Sequence, residues 1–282
     1  MWPFSKKITI AESDILRGAT DHHSHILPGV DDGVESMDEA LRILATYEKA
    51  GVKELWLTPH IMEDIPNTPE KLRARFAELE AAYTGNITLH LAAEYMIDNH
   101  LRSLLMNCNS ATNNCPSLNE AQRGGALHGK RVQETALCHF EPKGEISTTK
   151  EELLPIGTKG NHLLVETSYY TAPMRLHETL RKIKSLGYHP LLAHPERYMY
   201  MNKDEYQTLH QEGVKFQLNL PSICGGYGNS VKKRALWMLK EGLYDAIGSD
   251  THCEEGLGYL LGSRHKEKDL RALHSLLSQT LR

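Results

Sequence analysis

No run in the 282 residues is apolar for long enough to span a bilayer. The N-terminal stretch MWPFSKKITIAESD lacks the apolar segment of a secretory signal. Neither sign of charge is in excess. A formal net charge of −4 and a pI near 6.5 give no sign of a nucleic-acid or membrane-surface binder. Cysteine is sparse and irregular: Cys108, Cys115, Cys138, Cys224 and Cys253 are odd in number, which argues against a secreted disulfide framework. None of the five has an arginine six positions on, so there is no Cys-x5-Arg phosphate loop, and G-x-x-x-x-G-K-[ST] is missing too. A soluble cytoplasmic protein is expected, with neither thiol nor P-loop chemistry.

Histidine is plentiful instead. Sixteen is roughly twice average usage for this length. The densest stretch is Asp21-His22-His23-Ser24-His25-Ile26, with Asp32-Gly33 soon after. Residues two apart on a strand share a side, so His23 and His25 can face one centre. Imidazole is the commonest metal ligand, and two on one strand form a pincer.

The rest of the chain reads as alternating strands and helices, the pattern of a parallel sheet. Residues 1–18, of mixed charge and no periodicity, read as an N-terminal leader to a domain spanning 19–282. Strands are expected at 19–26, 52–58, 87–93, 162–165, 190–193, 214–218 and 245–249. Ser36 with Glu39 forms a capping-box signature for a helix carrying Met37, Ala40, Leu41, Leu44 and Tyr47, stopped by Gly51. Thr68-Pro69 and Pro173 begin further helices, and Leu270, Leu273, Leu276 and Leu277 mark a last one. The rhythm breaks at about 103–150, read as a flexible insertion because it far exceeds a usual connection. Cys108, Cys115, Cys138 and His139 lie there without the paired C-x-x-C spacing of a zinc knuckle.

Six of the seven expected strands end at or just before a ligand-type side chain; only the one near Asn219 does not. In a parallel barrel every strand-to-helix loop opens on that face, where chemistry gathers. Collected there are His23, His25, Asp32, His60, Glu94, Glu166, His194, Asp250 and His252. Nine nitrogen and oxygen donors suit two or three divalent ions sharing a carboxylate, with Mn, Zn or Fe favoured over copper(I). Such a cluster makes a hydroxide nucleophile at neutral pH, and phosphoester hydrolysis is its natural use. Arg197, three residues past His194, is placed to clamp a phosphate.

The stretches DHHSHILPGVDDG, LTPHI, AAEYM, LLVETSY, LLAHPERY and GSDTH span residues 21–252. Together they resemble the polymerase-and-histidinol-phosphatase (PHP) superfamily, and more closely the manganese-dependent protein-tyrosine phosphatases of bacterial capsule and exopolysaccharide operons. The resemblance implies an α/β fold, a distorted seven-stranded TIM-like barrel, with three metal ions, Mn first and Fe or Zn as alternatives. It implies Glu94 as the bridging carboxylate, His23 and His25 on one ion, Glu166 and His194 on a second, and Asp32, His60 and His252 on a third. Asp250 completes the set, and Arg197, Glu94 and Asp250 are the residues expected to act directly in catalysis. The implied substrate is phosphotyrosine on a membrane-associated tyrosine kinase controlling polysaccharide length. His22 stands where an apolar residue is usual, harmless if it faces away from the metals. The 103–150 insertion is the departure from the family. Two other readings remain open: a small-molecule phosphatase of the histidinol-phosphate type, and a non-catalytic metal-binding regulator. Oligomeric state is not legible.

Overall fold

The computed structural model describes residues 7–110, 153–277 and 281. In chain order, β1 (Lys7–Thr9) precedes β2 (Thr20–Ser24), α1 (Met37–Ala50), β3 (Glu54–Leu57), β4 (His60–Ile61) and α2 (Pro69–Ala82). There follow β5 (Thr88–Leu91), β6 (Glu94–Met96), α3 (Asn99–Ser110), β7 (His162–Glu166), α4 (Leu176–Ser185) and β8 (His189–Ala193). The remainder is α5 (Lys203–Gln211), β9 (Lys215–Asn219), α6 (Leu220–Cys224), α7 (Gly228–Lys240), β10 (Ala246–Gly248), α8 (Glu254–Gly262), β11 (Arg264–Lys266) and α9 (Glu267–Leu277). None of the described helices is long and apolar enough to cross a membrane.

Local chemistry accounts for the helices. The Ser36 hydroxyl accepts from the Glu39 N–H at 3.3 Å, and Gly51 ends α1 at φ 85°, a left-handed turn that only glycine adopts cheaply. The buried face of α1 is Ala40, Ile43, Leu44 and Tyr47, with Met37 and Leu41 only partly covered. Thr68 caps α2 with Pro69 in its first turn, and Asn202 with Glu205 forms a complete capping box on α5.

The strands form an α/β fold with two parallel sheets, ordered β10-β9-β8-β7-β6-β4 and β2-β3-β5. Strands buried on both faces read as continuous apolar runs, as in Leu163-Leu164-Val165 and Leu191-Leu192-Ala193. Two of the seven expected strands, 52–58 and 87–93, are each followed by a further short strand. Pro59, which has no N–H to give a ladder, separates β3 from β4. The Ala93 N–H turns to the Leu154 carbonyl (3.1 Å), separating β5 from β6. The sheets still adjoin: at one junction β3 runs on into β4 through Thr58-Pro59 and β5 into β6 through Ala92-Ala93, and at the other the Asp250 N–H donates to the His23 carbonyl and the His25 N–H to the Thr251 carbonyl. A small inner core of Trp56, Ala92, Ile156, Leu164, Leu191, Ala193, Ala246 and Leu281 draws on both sheets, apart from the larger core under the helices.

Two findings add to the expectations. Within the stretch expected as an N-terminal leader, β1 pairs antiparallel with β11, and Ile10, Ile15 and Leu16 are buried. Three residues are too few to show a period, and the partner strand lies at the other end of the chain. The helical rhythm also continues past Ser103, because α3 runs to Ser110 and buries Leu101 and Leu105. The rest of the expected insertion, with Cys115, Cys138 and His139, lies outside the described residues.

Candidate metal centre

Parallel strands pointing one way bring their following loops to one rim. His23 lies in β2 with His25 just beyond; Glu166 ends β7, His194 follows β8, and Asp250 and His252 follow β10. His60 and Glu94, expected just past their strands, open the short β4 and β6 just beyond Pro59 and Ala93. Asp32 comes from the loop after β2. Gly33 is required in that loop, since a Cβ there would run into the His25 carbonyl.

All nine expected side chains converge. Glu94 is at the middle: its Oε2 lies 3.1 Å from His23 Nε2, 3.2 Å from His25 Nε2 and 3.3 Å from His60 Nδ1, while Oε1 lies 3.1 Å from His194 Nε2. Four groups have donor atoms close enough to share an ion: His23, His25 and Glu94; His25, Asp32, His60 and His252; His23, His194 and Asp250; and His60, Glu94 and Glu166. The implied pairing of Glu166 with His194 is looser, at 3.8 Å. His194 is grouped with His23 and Asp250, and Glu166 with His60 and Glu94.

The histidines are oriented from behind. His23 Nδ1 donates to Gln217 Oε1 at 2.9 Å, His25 Nδ1 to Asp31 Oδ2 at 2.9 Å, and His252 Nδ1 to the Asp250 carbonyl at 2.9 Å. With those nitrogens protonated, the Nε2 atoms turn inward, and His23 Nε2 and His25 Nε2 stand 3.0 Å apart beside Glu94. Two imidazoles on one carboxylate need positive charge among them, and without a metal protons supply it: burial alone would lower both histidines, but Glu94 with Asp250 raises His23 and Asp31 with Glu94 raises His25. The same follows from Glu166: burial, then the charges of Glu94 and Asp250, push its carboxyl well above the usual range, so it ionises there only beside added positive charge. Burial alone would also raise Glu94, but the charge of His23 and hydrogen bonds from His194, His23 and His25 hold it well below. Burial and the neighbouring His25 charge lower His60 to about 4, leaving a neutral imidazole with a free lone pair. The residues therefore fit divalent metal ions.

Backbone strain collects here too. His194 (φ 36°) and Asp250 (φ 55°) are left-handed without being glycine, a conformation that costs energy and marks functional sites. Arg197 Nη1 and Asn219 Nδ2 both donate to Asp250 Oδ2, at 3.0 and 2.8 Å, turning Oδ1 toward His23 at 3.4 Å. A cavity of about 400 Å³ opens over the cluster, lined by Met62, Met96, Tyr169, Tyr170, Arg197 and Tyr227 besides the proposed ligands. His22 packs on the opposite side of its strand, Nδ1 against the Ile247 carbonyl at 3.2 Å.

Asp31, Gln217, Asn219, Tyr169 and Tyr227 are the site residues that sequence reasoning passed over. Gln217 carried a usable signal, a lone amide within an otherwise apolar strand. Asp31, beside Asp32, carried one as well, and Tyr169 closes the LLVETSY stretch; Tyr227 carried none.

Parallel strands with a histidine–carboxylate cluster on one rim, roofed by an arginine, are the frame of a metal-dependent hydrolase. The chain belongs to the capsular polysaccharide synthesis CpsB/CapC family, which matches residues 19–116 and 144–257. CapC of Staphylococcus aureus is 25% identical over 269 residues, covering 93% of this chain and 88% of the relative. The tyrosine-protein phosphatase CpsB of Streptococcus pneumoniae is 27% identical over 242 residues, covering 82% of each chain. Crystal structures of YwqE from Bacillus subtilis and CpsB from Streptococcus pneumoniae, described as metal-dependent tyrosine phosphatases, share the fold. The superposition gives a TM-score of 0.64 at 19% identity, over 93% of this chain and 96% of that one.

Proposed function

We propose that this protein is a metal-dependent protein-tyrosine phosphatase of capsule or exopolysaccharide biosynthesis. Its metal ligands are His23, His25, Asp32, His60, Glu94, Glu166, His194, Asp250 and His252, holding three ions, Mn first and Fe or Zn as alternatives. The observation that carries this reading is Glu94, whose two oxygens face four imidazoles beneath an arginine-roofed cavity. The two sheets are read as one distorted seven-stranded barrel, joined by the chain running from β3 to β4 and from β5 to β6 on one side and by the Asp250–His23 and His25–Thr251 hydrogen bonds on the other. The family match in two pieces, with residues 117–143 between them, supports an insertion in the barrel.

When bound, the divalent ions supply Lewis acidity toward water and phosphoryl oxygens. The chain supplies orientation. Gln217 and Asp31 fix the rings of His23 and His25, Asn219 and Arg197 fix Asp250, and Arg197 turns its remaining N–H groups to the phosphate. Met62, Met96 and Tyr170 offer apolar surface to an aryl ring at the mouth. The substrate is a tyrosine-phosphorylated protein, a membrane-associated bacterial tyrosine kinase, met by a cytoplasmic enzyme.

The test is phosphate release by Mn-loaded protein from a tyrosyl phosphopeptide and from histidinol phosphate, each with and without chelator. Chelator-sensitive preference for the peptide is expected. Preference for histidinol phosphate would move the protein to small-molecule metabolism, and no release from either would leave a non-catalytic metal-binding protein.

A further inference from the structure

Arg197 is held against two aromatic rings. Its Cζ lies 4.1 Å from the centroid of Tyr169 and 4.1 Å from that of Tyr227. The cation therefore lies over two rings at once. The rings come from separate parts of the chain: Tyr169 from the loop after β7, Tyr227 from the residue before α7. Each is tied down independently. The Tyr169 carbonyl accepts from the Met199 N–H at 2.6 Å, and the Tyr227 hydroxyl accepts from Asn219 Nδ2 at 3.5 Å.

In its own plane the guanidinium is nearly unoccupied. Among the described residues its one hydrogen bond is Nη1 to Asp250 Oδ2 at 3.0 Å, although the side chain is only 15% exposed. A part-buried arginine held over two rings, with most of its N–H groups unpaired, keeps those groups along its edge for recognition. That edge borders the cavity over Glu94, Glu166 and Asp250.

We propose that Tyr169 and Tyr227 are positioning residues that clamp Arg197 through their two rings, so that its N–H edge is presented in advance to a phosphoryl group at the metal centre. The inference rests on the phosphatase reading for its catalytic meaning, but the clamp itself is a claim about phosphate binding. A loose arginine would have to be ordered at each binding event; a clamped one has lost that freedom on folding. The ring quadrupoles also stabilise the cation without consuming any N–H donor.

Inorganic phosphate is the deciding probe, because it has no ring to stack on either tyrosine. Calorimetric phosphate binding to the metal-loaded protein, with kcat and KM for a phosphotyrosyl peptide, is measured for Tyr169→Leu, Tyr227→Leu, the two Phe variants and Arg197→Met. Each Leu variant is then combined with Arg197→Met. Each Leu change alone should weaken phosphate binding about tenfold, with metal content unchanged. Phe, which keeps the ring, should recover most of that loss. In the Arg197→Met background the Leu changes should cost nothing more, since the tyrosines act through the arginine. Equal losses with and without Arg197, or undiminished phosphate binding in the Leu variants, would overturn the clamp, as would a wild-type protein that binds no phosphate. If the wild type binds phosphate but hydrolyses no phosphopeptide, the phosphatase reading fails, and the phosphate cycle still decides the clamp.

Discussion

Glu94→Gln is the substitution that loads the most on the proposed centre. The two side chains have the same shape, so no cavity opens in a residue that is 1% exposed, and the strands around it keep their packing. What changes is one oxygen, replaced by an amide N–H₂ that carries no charge and cannot accept. If Oε2 is lost, three imidazole contacts at 3.1 to 3.3 Å lose their acceptor; if Oε1 is lost, His194 does. In the proposed centre the carboxylate is shared by two ions; a single interaction with a charged group contributes about 1.5–3 kcal/mol, so weakening both costs about 3–6 kcal/mol. That is a hundredfold to ten-thousandfold in divalent-ion affinity on the order-of-magnitude scale of about 1.4 kcal/mol per decade. The assay is metal content by mass spectrometry after desalting, beside phosphate release from a tyrosyl phosphopeptide, with circular dichroism as the check on folding. Loss of ions and of turnover in a normally folded protein is expected. Full metal retention with wild-type turnover would refute Glu94 as the shared carboxylate.

Asp31→Ala removes the acceptor behind His25 and the one for the His60 N–H. It should weaken metal binding about 10–100-fold, the usual cost of losing a group that orients a ligand. Retention of wild-type affinity in a competition titration against a chelator would mean His25 needs no such support. His22→Leu tests the strand's other side. Burial lowers His22 to about 4 from an ordinary value of 6.5, so the folded protein resists the proton that the unfolded chain accepts. The stability is intact above pH 6.5 and is lost as pH falls toward 4, by about 3 kcal/mol in all at about 1.36 kcal/mol per unit. Urea unfolding of the metal-free proteins should show the Leu variant gaining on wild type at pH 5 and not at pH 8, and equal gains at both would refute it.

The nine candidate ligands were legible because they obey a phase: ligand-type residues recur at the ends of apolar runs, and parallel strands bring those ends together. The breaks at Pro59 and Ala93 did not disturb that phase, since each falls before its ligand and leaves His60 and Glu94 on the same rim. Pairings across long sequence separations were not legible. Nothing in Lys7-Ile8-Thr9 announces Arg264-His265-Lys266 as its partner, because three-residue strands have no period and antiparallel edges leave no composition signature. The supporting residues escaped for a related reason. Gln217, Asn219 and Tyr227 matter only through what lies opposite them in space, namely His23, Asp250 and Arg197.

Ligands are constrained by chemistry, and so their types can be read from the chain. Residues that orient ligands are constrained by geometry, and many side chains could supply the same hydrogen bond or ring face. Asp31 and Asp32 show the difference within one dipeptide. Asp32, 64% exposed, faces His60 and His252 from the cavity side, while Asp31 is fully buried against His25. The sequence offers two identical side chains there, and only the turn closed by Gly33 decides which one meets the cavity and which one braces the histidine.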